Sequence, residues 1–100
     1  MNLDEAYQQA VDEQAQCLLH TEAPALRALP PSGIFEVGVA GRTIRGTWDH
    51  LLLPDGIHWI AYRLDRTSWL SLSQYFNGVK VLPNDKVQLL TVQEIGLLEL

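Results

Sequence analysis

His50 and His58 are the residues of this chain whose types and spacing best suit chemistry. They flank Leu53-Pro54-Asp55-Gly56, a run that fits a type I turn closed by a G1 bulge. If Leu53 pairs with Ile57 across that turn, Trp48 faces Tyr62, His50 faces Ile60 and Leu52 faces His58. The two imidazoles then lie diagonally across one hairpin, roughly 7–8 Å apart at the backbone. At that separation two histidines can titrate together or hold a metal ion. A zinc site uses three or four protein ligands, and no Cys, Asp or Glu falls beside the pair on that face, Asp49 pointing to the other. Locally hydrogen-bonded histidines are therefore expected, with no cofactor.

Other reactive types fit poorly. Cys17 and His20 stand three residues apart, a helical spacing that puts them on a similar side. A nucleophilic cysteine needs a base and an electropositive setting, whereas this segment is acidic, so Cys17 is expected as a buried structural thiol. Ser68, Ser71 and Ser73 occur in no G-x-S-x-G turn, and the start of a helix accounts for them. Gly38, Gly41 and Gly46 match neither phosphate-cradling glycine pattern. Only Asp49 and Asp65 can be nominated as a carboxylate pair for hydrolysis, and nothing in the sequence sets them across a cleft. An enzyme is not expected.

A second cluster consists of Trp59, Arg63, Arg45 and Leu51. The alternation that places the histidines with Phe35, Val37, Val39 and Ile44 on one sheet face, expected to be the core side, places these four on the other. Trp and Arg are over-represented where proteins bind one another. Such a face is either covered by another element, here the N-terminal helix, or presented to a partner. Covering is the commoner arrangement.

The elements must supply the frame. One hundred residues, 47% hydrophobic and 19% charged, suit a single globular domain with one modest core. The net charge of −5 is concentrated at one end. Asp4, Glu5, Asp12, Glu13 and Glu22 precede any Lys or Arg, and the seven acidic and seven basic groups beyond residue 24 cancel. Without a Lys/Arg cluster, nucleic-acid binding is disfavoured. The apolar runs are a few residues long, against the ~20 that span a bilayer, so no membrane association is expected. The start Met1-Asn2-Leu3-Asp4-Glu5 is acidic where a signal peptide would be basic. Cys17 has no second cysteine to pair with. A cytoplasmic location is expected.

Leu3, Tyr7, Ala10, Val11, Gln14, Cys17 and Leu18 recur at three- and four-residue steps and predict an amphipathic helix over 3–20. Asn2 and Glu5 have cap spacing for its start. Residues 21–33, with Pro24, Pro30 and Pro31, read as a connector that tucks Leu26 and Leu29 against the core. From residue 34 the pattern is β. Val39 pairing with Arg42 around Ala40-Gly41 sets Val37 against Ile44 and Glu36 against Arg45, apolar with apolar and acid with base. Ala is a poor type I′ residue. A short helix over 71–77 follows, then strands over 79–82 and 87–92, and a last strand over 95–98.

The expected fold is α+β: an N-terminal amphipathic helix and a five- to six-stranded, mostly antiparallel sheet that can curl into a small barrel. A short helix precedes the last strands. The expected function is a small non-enzymatic protein-binding module, of adaptor, inhibitor or immunity type, acting through the Trp59 face. The alternative is a small-ligand or metal-binding protein, or a minor enzyme, using the His50/His58 face. An exposed edge strand would also allow a homodimer.

Overall fold

The computed structural model describes residues 3–64 and 77–98. Its fold is α+β, with helix α1 (Leu3–Leu19) and short helix α2 (Ala23–Arg27) ahead of five strands. These are β1 (Ser32–Val39), β2 (Arg42–Leu52), β3 (His58–Leu64), β4 (Asn77–Val81) and β5 (Val87–Leu89), with α3 (Val92–Leu98) after them. The strands form one antiparallel meander in the order β1-β2-β3-β4-β5. The sheet is open, with β1 and the three-residue β5 as its edges, so the barrel is not formed. Most of the helix expected over 71–77 lies outside the described residues, as does the Asn2 cap, and Asn77 belongs to β4.

Two turns set the register. Ala40 (φ 50°) and Gly41 (φ 78°) both take the left-handed conformation of a type I′ turn. Across it Val39 pairs with Arg42, Val37 with Ile44 and Glu36 with Arg45. At the second turn the Gly56 amide donates to Leu53 O and the Leu53 amide to Ile57 O. Trp48 consequently pairs with Tyr62, His50 with Ile60 and Leu52 with His58. The β4–β5 turn repeats this construction. Leu82-Pro83-Asn84-Asp85 makes the same two backbone bonds, and Asn84 accepts from the Lys86 amide as Asp55 accepts from that of Ile57. Asp85 (φ 70°) occupies the left-handed position that Gly56 fills in the first.

The core lies on one sheet face. At one end Ala10, Val11 and Ala15 of α1 pack on Val39, Ile44 and Tyr62, with Phe35, Val37 and Trp48 around them. At the other end Ala23 and Leu26 of α2 pack on Ile60, Val79 and Val81, joined by Leu18 and Leu29. The connector thus contains a helix that its prolines concealed. Pro24 sits in the first turn, where its missing N–H costs nothing. The expected last strand over 95–98 is instead α3. Thr91 and Glu94 form a reciprocal capping box: Thr91 Oγ1 accepts from the Glu94 amide at 3.1 Å, and Glu94 Oε1 from the Thr91 amide at 2.9 Å.

Candidate functional site

The second turn and the β2–β3 ladder bring His50 and His58 into direct contact on the core face. His50 Nε2 and His58 Nδ1 are 2.8 Å apart, and His50 Nδ1 is 2.8 Å from the Leu29 carbonyl oxygen. The carbonyl can only accept, so His50 Nδ1 donates to it. In a neutral pair His50 Nε2 then accepts from the Nδ1–H of His58. The backbone reinforces this link, because the His50 amide donates to Pro31 O at 2.8 Å. Both histidines are half-buried. Burial, then the neighbouring His50 and the Arg27 guanidinium, hold the His58 imidazole below its ordinary value. Arg27 is fixed nearby by a 2.9 Å bond to Leu82 O and a 2.6 Å ion pair with Asp85. Leu29 and Arg27 were not legible as partners of the pair, because they come from a segment of different periodicity.

Two nitrogens on one tetrahedral ion, each at the usual 2.0–2.1 Å, sit about 3.3 Å apart, wider than the gap here. Among the described residues no group of three or more His, Cys, Asp or Glu side chains could hold a metal ion. Trp48 and Tyr62, the aromatic pair on the same sheet face, do not converge on the histidines. The Tyr62 hydroxyl donates to Val11 O at 2.6 Å, and the Trp48 indole lies over Gly33. Both line a cavity of about 110 Å³ beneath α1, together with Leu29 and Phe35, and neither histidine reaches its walls. Cys17 is exposed rather than buried. The apolar stripe runs through Ala10, Val11, Ala15 and Leu18, which leaves Cys17 one step aside, next to Glu13 and Gln16.

The opposite sheet face carries the four candidate binding residues. Leu51 pairs directly with Trp59, Thr47 with Arg63, and Glu36 with Arg45. The Asp49–Ala61 pair separates the Leu51–Trp59 row from that of Arg63. Leu51 is 40% exposed, Arg45 is exposed, and Trp59 and Arg63 are half-buried. Ile34, opposite Thr47 in the Arg63 row, is 68% exposed; the same alternation could have nominated it. Helix α1 packs on the other face, so the expected covering by that helix is not what forms. Lys80 extends the Trp59 row onto β4, where its ammonium meets Glu94 of α3 at 2.8 Å.

Among the described residues no helix is long and apolar enough to cross a membrane. No protein-family model, curated protein or solved structure matches this chain.

Proposed function

We propose that this chain is a small non-enzymatic protein-binding module that acts by occupying a partner's surface with the sheet face bearing Leu51, Trp59, Arg63 and Arg45. The observation that carries this reading is the placement of α1. It seals the Phe35–Tyr62 face and not the opposite one, where Ile34 and Leu51 present apolar side chains to solvent. Trp and Arg on a rigid sheet make efficient anchors, because little side-chain freedom is lost when a partner closes over them. The acidic residues Asp12, Glu13 and Glu22 are exposed on other elements, where they can speed encounter with a basic partner without lying in the contact. An adaptor, an inhibitor or an immunity-type protein all fit this description.

The test is affinity purification of the chain from its own cells, alongside Leu51→Ala, Trp59→Ala and Arg63→Ala variants whose folding is checked by circular dichroism. A protein that co-purifies with the parent chain should be lost from at least the Trp59 variant. Retention of every co-purifying protein by all three folded variants would overturn the assignment. Light scattering on the purified chain tests the remaining occupant, a second copy joined along an edge strand. A dimer that survives all three substitutions would move the contact from this face to the β1 or β5 edge.

A further inference from the structure

We propose that His50 and His58 form a proton-operated latch between the α2–β1 connector and the β2–β3 hairpin, closed while the pair holds at most one extra proton and opened when both rings are charged. This does not rest on the partner-binding face.

The direction of each hydrogen bond is fixed by the end of the chain. Leu29 O accepts from His50 Nδ1, which in a neutral ring leaves Nε2 bare to accept from His58 Nδ1–H. His58 Nε2 is then the site open to a proton. A first proton taken there leaves both bonds intact, since an imidazolium keeps its Nδ1–H. The second has only His50 Nε2 left. Two N–H donors would then meet across the 2.8 Å gap, between two positive rings whose centres are 5.0 Å apart. Nothing in that geometry can be satisfied without separating the rings.

The surroundings oppose charge at this corner. In the row of His58 the other strands present Leu52, Val81 and Val87, all apolar. From α2 comes Arg27, whose charge acts on His58 and is paired with Asp85 of the β4–β5 turn. Protonating both histidines would add two cations beside the Arg27–Asp85 pair. His58 is held below its ordinary value, so its neutral ring stabilises the fold above the ordinary imidazole range. That contribution is lost as pH falls through the lower, folded-state value. Opening releases Leu29, and with it the segment that leads from α2 into β1.

The experiment is NMR on the full chain from about pH 8 to about pH 5, the range in which imidazoles change charge. At the upper end both His50 and His58 should be Nδ1–H tautomers. On acidification they should titrate in two coupled steps. With the second step the His50 amide, which is bonded to Pro31 O, should exchange about tenfold faster than its intrinsic pH dependence allows, the effect of a one-unit coupling. His58→Asn keeps an N–H donor near Nδ1 but cannot titrate, and should hold that amide protected throughout. Independent one-proton titrations, an Nε2–H tautomer of His50, or pH-dependent opening that persists in His58→Asn would each overturn the latch. So would stoichiometric Zn²⁺ uptake by the pair at neutral pH, which would make the two nitrogens ligands. Should His58→Asn not fold, the tautomers and coupling in the parent chain still decide.

Discussion

The Tyr62 hydroxyl donates a 2.6 Å hydrogen bond to the carbonyl of Val11, in the middle of α1. Both residues are buried, Tyr62 completely, so the contact ties the helix to the centre of the sheet through a polar bond inside an apolar layer. Burial, reinforced by Asp12 and Cys17, pushes the phenol well above its usual value. Tyr62→Phe should cost about 1 kcal/mol near neutral pH, the net worth of one such bond. The raised phenol value also gives a sign at high pH. Stability is complete below the ordinary tyrosine value and declines above it, because the unfolded chain ionises first. Urea titrations of the two proteins should show the parent losing its advantage as pH rises past about 10. An equal alkaline decline in Tyr62→Phe would assign that loss to other groups.

Aromatic rings replace side chains at two strand glycines. A Cβ at Gly46 would strike the Phe35 ring, and one at Gly33 the Trp48 indole. Each glycine is the cross-strand partner of the ring that covers it. Phe35 also stands edge-on to Tyr62, with centroids 5.8 Å apart and planes at 86°, so it cannot swing aside without giving up that contact. Gly46→Ala should therefore destabilise by about 1–3 kcal/mol, the cost of overpacking. In the Phe35→Ala background the same substitution should cost much less. Equilibrium unfolding of the four proteins closes the double-mutant cycle, and additivity would show that Phe35 does not set the cost.

Ala40 is held at φ 50° in the β1–β2 turn, where its Cβ crowds the backbone. Replacing it with Asn, which accepts this conformation more readily, should raise stability by about 1 kcal/mol, seen as a shifted urea midpoint at unchanged slope. An unchanged midpoint would mean that the turn relaxes around alanine at no cost.

That hairpin, with its neighbour, was legible because turn chemistry and side-chain alternation are local. Leu53-Pro54-Asp55-Gly56 sets the register of His50 and His58 from a handful of residues, and the pairing Glu36–Arg45 sets that of β1. The contact between the two imidazoles was less accessible. Register gives the backbone separation, but ring orientation depends on Leu29, which arrives from outside the hairpin. The core face was legible, because Phe35, Val37, Val39 and Ile44 share it, but the packing of α1 on that same face was not. The other face carries Ile34, Leu51 and Trp59 among charges, and periodicity alone does not say whether a helix lies over so mixed a surface. Cys17 shows the same limit on a smaller scale. A stripe that includes it and one that takes Ala15 instead differ by a small rotation of α1, which only packing against Val39 and Ile44 decides.

The sequence does contain the signal for α3, in Thr91-Val92-Gln93-Glu94, but the apolar run that follows looks equally like a strand. Seven residues are too few for a stable isolated helix, so α3 depends on its cap and on the 2.8 Å Lys80–Glu94 ion pair. Burial raises the Glu94 carboxyl, but hydrogen bonds from Lys80 and Thr91 outweigh it and hold the group below its ordinary value. The contribution of Glu94 is therefore present above the ordinary carboxylate range and is lost as pH falls through the lower, folded-state value. Thr91→Ala should speed hydrogen exchange of the Ile95 amide, which is bonded to Thr91 O, by roughly fivefold, corresponding to about 1 kcal/mol for a lost cap. Glu94→Gln keeps the capping bond and gives up the charge, so it should cost less than Thr91→Ala at neutral pH and remove the acid dependence of Ile95 exchange. Lys80→Met should leave the cap in place and weaken the acid dependence without removing it, because the Thr91 bonds still hold the Glu94 carboxyl down. If all three variants exchange like the parent, α3 is held by the packing of Ile95 and Leu98 rather than by its first turn.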